Sequence, residues 1–470
     1  MDFKNKMATQ VKKIPELDIM KFYGILFVVL GHIAMMYTPL SVIPHFANMS
    51  SFMAVVKNVI YAFHMPMFIF ISGCIFAFQL EVLHRNYMIN VLYVTFASKN
   101  FDGATYSLMD LIRSVRSHVY PIVLLRSKGC VYDYFRENNV ECIVCDFEEN
   151  VCGKPQKFHQ YVRYILRYIP KYIRYVVKNR RCVNYVANRL QDRNIQIVHT
   201  NNSVLTVGYD IAQRMQAKHV WHLRGFMDLD FGWMPFRGWR NLKQLVSNSS
   251  AVIGITKAVL EHYIALDREN AFVVFDAVRS KQNICNDPLK EKYFLFCSVF
   301  LTKRKGCEFA IKAFALSNLA SQGYRLRVIG VANEKYINRL HNLVREYGVA
   351  DFVDFVGSSD NVKEHMQKAT ALLMCSENEG LGRVSIEAMF YGCLVIGRNS
   401  GGTKEFVINR ETGFIFNNID ECSQAMRIAA KNDVRDIIIK AQDFACNNFS
   451  IENYGEKILK IYAKVLNKNL

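Results

Sequence analysis

Residues 369–398 read ATALLMCSENEGLGRVSIEAMFYGCLVIGR. ATALLMC is a short uncharged run with the length of a buried strand, and CLVIGR repeats that character after a stretch with helical spacing. Between them, Glu379-Gly380-Leu381-Gly382 forms a glycine-rich turn into the helix. Strand, glycine turn, helix and strand make a parallel βαβ unit. Glycines let the backbone approach a ligand closely, and the open N–H groups at the helix start favour an anion such as a pyrophosphate.

The pattern repeats outward in both directions. MINVLYVTF (88–96), HVYPIVLL, VECIVCDF, IQIVHTN and KHVWHL form a first series of strand-like runs separated by helical segments. A second series begins near Ala251 with AVIGIT and AFVVF and continues through YFLFCSVF, RLRVIGV, DFVDFVG, ATALLMC and CLVIGR. Two successive series predict an α/β chain with two doubly wound, Rossmann-like units and a ligand cleft between them. One segment departs from the alternation. Lys157 to Lys178 mixes Tyr, Ile and Val with Arg163, Arg167, Lys171 and Arg174, and Arg180 and Arg181 follow it. It reads either as a solvated helix with its tyrosines packed on the domain, or as a basic helix lying against anionic lipid, with a kink at Pro170.

The chain has 470 residues and a formal net charge of +18, so an acidic partner is expected. No nucleic-acid recognition motif accompanies the charge, which leaves anionic lipid and phosphorylated substrates. Its 13 cysteines are scattered and odd in number, which suits reduced thiols in a cytosolic protein. Cys142 and Cys145 have C-x-x-C spacing but lie in a strand-like run, where they face opposite sides.

Apolar residues concentrate near the start. Phe22 to Leu40 and Asn58 to Leu80 carry no Asp, Glu, Lys or Arg, and each has the ~20 residues that span a bilayer. Lys4, Lys6, Lys12, Lys13 and Lys21 precede the first stretch, and His84 and Arg85 follow the second. By the positive-inside rule both ends face the cytoplasm. DIMKFYGILFVVLGH and FHMPMFIFISG resemble the opening of the membrane acyltransferase-3 family, which implies an acyl-transfer role for His32. That family's further helices have no counterpart after residue 86, so the expectation is a membrane anchor at the inner or plasma membrane with the rest in the cytoplasm.

The string from Ser376 to Phe416 resembles the retaining GT4 family of glycosyltransferases, with Glu379 and Glu387 in its E-x7-E arrangement. IVHTN, VWHLRGF, KRKGCEFAIKAF, VDFVG and FSIENYGEKILKIYAKVL extend the likeness over about residues 88 to 465. The resemblance implies a GT-B fold: an acceptor-side domain over residues 87–275, a donor domain over 276–448, and a C-terminal helix over 449–470 returning to the first domain. It implies that Glu379 contacts the donor sugar, that Glu387 holds the ribose, and that Lys305 neutralises the leaving diphosphate. It further places Gly380, Leu381, Gly382, Gly401, Gly402 and Gly103 around the donor, with Glu405 nearby, and His222 facing donor sugar and acceptor. Arg304 stands near the family's second cation, and Arg224 is expected to meet an acidic group of the acceptor.

The implied partners are a nucleotide-sugar, a glycan or lipid-linked acceptor, and membrane lipid, with no nucleic acid. No cofactor and no metal is expected, and Asp228-Leu229-Asp230 reads as loop carboxylates rather than a metal site. A membrane O-acyltransferase assisted by the soluble part, or a non-catalytic scaffold, are the rival readings.

Overall fold

The computed structural model describes residues 88–96, 101–153, 160–285 and 289–468, and only the backbone over 160–167. Residues Ile89–Leu470 form one compact unit. Both candidate membrane spans and His32 lie outside the described residues. Among the described residues no helix is long and apolar enough to cross a membrane.

Fifteen strands are named in chain order. The first nine are β1 (Ile89–Val94), β2 (Val119–Leu125), β3 (Glu141–Val144), β4 (Cys152–Gly153), β5 (Ile197–Thr200), β6 (Lys218–Leu223), β7 (Trp233–Met234), β8 (Ala251–Gly254) and β9 (Ala271–Val273). The others are β10 (Tyr293–Phe300), β11 (Arg325–Val331), β12 (Val353–Gly357), β13 (Ala371–Met374), β14 (Leu394–Arg398) and β15 (Phe414–Phe416). One sheet has the order β3-β2-β1-β5-β6-β8-β9 and a second the order β12-β11-β10-β13-β14-β15, with every pair parallel. The short β4 and β7 pair antiparallel on their own.

The strands read as continuous apolar runs because helices cover both faces of each sheet. Along β1, Leu92 and Val94 enter one buried cluster while Ile89, Val91 and Tyr93 enter another. Cys142 and Cys145 divide the same way, the first packing on one face and the second on the other. AVIGIT and AFVVF, which open the second series in the sequence, form β8, paired with β6, and β9, paired with β8, and so belong to the first sheet. An apolar run carries no mark of which sheet takes it; the pairing partner decides.

Strand order reverses between β1 and β5 in the first sheet and between β10 and β13 in the second. The crevice at such a switch point, beyond the carboxyl ends of the strands, is where open α/β sheets hold ligands. The loops after β10 and β13 carry Lys305 and Glu379, so the fold brings together two residues that lie 74 positions apart.

The basic segment is one helix, Gln160–Arg189, which runs on through Pro170. Tyr168, Tyr172 and Tyr175 pack around Phe236, and the Tyr168 hydroxyl donates to Phe236 O at 2.6 Å. The final helix, Ile451–Leu466, lies on the helix Gly103–Val115 so closely that a Cβ on Gly455 would sit 2.9 Å from the Ser114 side chain.

Candidate active site

The loop after β10 forms a tight turn, Lys303–Lys305, and Gly306 at φ +82° then starts the helix Cys307–Ser317. A Cβ there would fall 2.7 Å from that of Cys375, at the end of β13, so the glycine lets the two loops touch. Lys305 Nζ consequently meets Glu379 Oε2 at 2.8 Å, with the lysine 38% and the glutamate 19% exposed. Cation and carboxylate share one half-open site at the switch point.

The loop after β13 is held from two sides. Gly402 N donates to Glu379 O at 2.8 Å, and the Thr256 hydroxyl donates to Gly380 O at 3.0 Å. A Cβ on Gly401, at φ +54°, would strike the Glu379 carbonyl and lie 2.8 Å from Glu379 N. A Cβ on Gly402 would lie 2.6 Å from Thr256 Cγ2, and one on Gly380 would lie 3.2 Å from Gly225 Cα. These glycines are required by close backbone approach. Gly382, at φ +78°, begins the helix Arg383–Phe390, and Leu381 is buried. Glu387 lies one turn into that helix and pairs with Arg279 at 3.1 Å.

On the first sheet, Gly103 is the first residue of its helix, 4.0 Å by its Cβ direction from Arg383 Cδ. Asp102, not a second glycine, caps that helix, accepting from Thr105 N at 2.7 Å. Arg383 ties the start of its helix to the helix Gly103–Val115 and to the passage between the sheets. Its Nη1 donates to Ser107 Oγ and to Ala277 O, each at 2.9 Å, and its Nη2 lies 3.5 Å from Asp110. The sequence reading gave Arg383 no role, because its partners lie 276 and 106 positions away.

His222 is fully buried within β6. Its Nδ1 lies 3.2 Å from His199 Nε2, and His199 Nδ1 lies 2.7 Å from the Tyr462 hydroxyl, which donates to Tyr93 at 3.2 Å. Burial holds both imidazoles well below the ordinary histidine range, so they are neutral; His222 and Arg224 add to the effect on His199, and Arg224 to that on His222. His222 Nε2 has no hydrogen-bond partner and lies 3.6 Å from Asp276. A buried ring nitrogen without a hydrogen bond is unusual in a native fold and makes His222 a candidate for a functional role.

Several expected placements differ. Arg224 does not face outward: it is buried, bonds Asn201 Oδ1 at 2.7 Å and forms a close ion pair with Asp276, because a desolvated guanidinium needs a carboxylate. Arg304 turns away from Lys305; its Nη1 donates to Leu229 O and it sits 5.9 Å from the Phe231 ring. Glu405 caps a helix start, accepting from Lys257 N and Ala258 N, both at 2.8 Å. Asp228 and Asp230 lie in the short helix Met227–Phe231 rather than a loop. Asp228 meets His262 at 2.8 Å. Asp230 accepts from Phe226 N at 3.0 Å. Burial pushes the Asp230 carboxyl up to about 6 against that N–H, with Glu379 adding repulsion. Among the described residues no cluster of three or more His, Cys, Asp or Glu is placed to hold a metal.

Residues 279–448 match the family model for glycosyl transferases group 1. An uncharacterized glycosyltransferase of Haemophilus influenzae is 26% identical over 34% of this chain and 45% of its own length. A Campylobacter jejuni protein, named as the alpha-1,4-N-acetyl-D-galactosaminyltransferase for GalNAc-alpha-(1->4)-GalNAc-alpha-(1->3)-diNAcBac-PP-undecaprenol, is 28% identical over 38% of this chain and 50% of its own. A Mycobacterium tuberculosis GDP-mannose-dependent alpha-(1-6)-phosphatidylinositol monomannoside mannosyltransferase is 32% identical over 27% of this chain and 35% of its own. The matches thus span half or less of these relatives' lengths. Anabaena Alr3699/HepE, solved in complex with UDP, superposes with a TM-score of 0.65 over 80% of this chain and 100% of that one, at 19% identity. With two parallel sheets, each with its own switch point, and this likeness in three dimensions, the chain from Ile89 to Leu470 has a GT-B-like α/β fold.

Proposed function

We propose that this chain is a retaining GT4-type glycosyltransferase that moves a sugar from a nucleotide-sugar donor to a glycan or lipid-linked acceptor. The observation that carries the reading is the contact of Lys305 with Glu379 at the switch point, in a glycine loop that close backbone packing fixes in place. The matched family model and the likeness to a UDP complex support the same substrate class.

In this reading the donor diphosphate lies against Lys305 and the turn before the helix Cys307–Ser317, and Glu387 accepts from the ribose hydroxyls. Glu379, released from Lys305 by the diphosphate, turns to the sugar hydroxyls. His222 Nε2 supplies a buried contact to the sugar. The acceptor hydroxyl attacks from the face the leaving diphosphate vacates, its proton passes to a diphosphate oxygen, and the configuration at the sugar carbon is kept. Fixed positive charge on the leaving group acts where charge develops. Metal is not required, since Lys305 supplies that charge. Isothermal titration with UDP-, GDP- and ADP-sugars is expected to find one strong binder, and transfer from it is expected to persist in EDTA. Loss on chelation with rescue by Mg²⁺ or Mn²⁺ would remove Lys305 from this role and return Asp230 to consideration.

The proposed location is the cytoplasmic face of the inner or plasma membrane, with residues 1–86 as the tether. The helix Gln160–Arg189 favours a second, surface contact with anionic lipid. It has eight Arg or Lys and no Asp or Glu. Ile169, Ile173, Val176 and Val177 are 53%, 56%, 37% and 40% exposed along one side, with Arg174, Arg180 and Arg181 exposed beside them. Lys178 takes no part, because it pairs with Asp146 at 2.7 Å and Glu148 at 3.0 Å. A chain beginning at Met88 is expected to bind phosphatidylglycerol vesicles weakly and to release them at high salt, as surface charge is screened over ~10 Å at 0.1 M. Exchanging Ile169 and Ile173 for Asn should abolish the binding; equal binding to neutral vesicles, or none at low salt, would exclude this face.

A further inference from the structure

The passage from the first sheet to the second, between β9 and β10, carries Arg279. Its backbone is fixed against the chain's return passage: Val278 N donates to Phe449 O at 2.9 Å, and Ile451 N donates to Arg279 O at 3.2 Å. Arg279 and Ser450 form an isolated parallel bridge there. The Ser280 hydroxyl adds a bond to Glu452 at 2.6 Å. From this anchored position the guanidinium reaches the helix Arg383–Phe390 and its C-capping residue Tyr391. Nη2 lies 3.1 Å from Glu387 Oε1, and Nε donates to the Tyr391 hydroxyl at 2.9 Å. Glu387 and Tyr391 stand one helical turn apart, so one rigid fork spans both. Glu387 Oε2 has no bonding partner among the described residues.

We propose that Arg279 is a positioning residue for donor recognition: it holds Glu387 by one oxygen and leaves the other presented to the ribose hydroxyls. The inference rests on the nucleotide-sugar reading of the site. A carboxylate has about four lone-pair positions, so a guanidinium on Oε1 leaves acceptor capacity for both hydroxyls. A glutamate free to rotate would lose side-chain entropy on binding, and the two-point grip removes most of that cost beforehand. An exposed ion pair with no such function adds little to stability and nothing to ligand choice. The anchor sits at the very start of the donor part, where the passage between the sheets is bonded to the chain's return at Phe449 and Ile451.

The test uses the full chain, the nucleoside diphosphate identified by the sugar-nucleotide panel, and the 2′-deoxy form of that same diphosphate, with affinities from calorimetry. The unaltered protein is expected to prefer the ribose form by about tenfold or more, the scale of a hydrogen bond to a charged group. In Arg279→Met that preference should shrink below about threefold, through weaker binding of the ribose form and little change for the deoxy form. Arg279→Lys, which keeps the charge without the fork, should lose most of the preference as well. Tyr391→Phe removes the Nε anchor and should erode the preference in the same direction; it decides the matter if Arg279→Met does not fold. An unchanged preference in the folded variants, or an equal loss for both ligands, overturns the proposal. If no nucleoside diphosphate binds the unaltered protein, the glycosyltransferase reading fails first, and the inference falls with it.

Discussion

Lys305→Met is expected to lower turnover by about 10²–10³-fold, the range for removing one preorganised group that stabilises developing charge. The fold should survive, because the side chain is 38% exposed and its ion pair is with the half-open Glu379. The same contact makes a second, opposite effect visible. Without Lys305 beside it, Glu379 is an unneutralised carboxylate facing the donor's diphosphate, so donor affinity should fall as well as turnover. Glu379→Gln removes that repulsion, and Lys305→Met with Glu379→Gln should recover donor affinity but not turnover. Steady-state rates and calorimetric affinities for the three variants separate these contributions. Unchanged turnover in folded Lys305→Met would remove the lysine from the leaving-group role.

Gly401→Ala is expected to destabilise the protein by about 2–5 kcal/mol, from left-handed backbone strain together with overpacking. Its Cβ would strike the Glu379 carbonyl and approach Glu379 N to 2.8 Å. The relief available is a shift of the Glu379–Gly382 loop, so donor binding should be lost along with stability. Gly348 supplies the control. It has φ +68° but nothing within 4 Å of its Cβ direction, so Gly348→Ala should cost only about 1–2 kcal/mol and leave donor binding intact. Denaturant midpoints and donor titration for the pair distinguish backbone strain from collision. Equal midpoints and normal donor binding in Gly401→Ala would show that the loop yields without consequence.

What could be read from the sequence follows from the range over which each signal acts. The glycine turn, the helix after it and the strands on either side are written in consecutive residues, since backbone freedom and apolar runs are local properties. For that reason the α/β class, the two-unit plan and the loop Glu379–Gly382 were accessible before any coordinates. The spacing of Glu379 and Glu387 was equally local.

Partner choice was decided only in three dimensions. Which sheet took β8, and β9 after it, depended on whether β8 met β6 or β10, and an apolar strand is compatible with either. Arg224 and Arg304 looked from sequence like cations open to substrate. The fold gave the first to Asp276 and turned the second to Leu229, because their neighbours come from other loops. His222 acquired its neutral, buried setting from His199 and from Tyr462, whose hydroxyl lies 263 positions along the chain from His199. Arg279 became relevant only when the passage between the sheets lay beside the helix Arg383–Phe390. Short-range pattern determined the elements and the ligand loop; tertiary packing, which fixes the desolvation and charge partners of each side chain, decided which residues are left to meet a ligand.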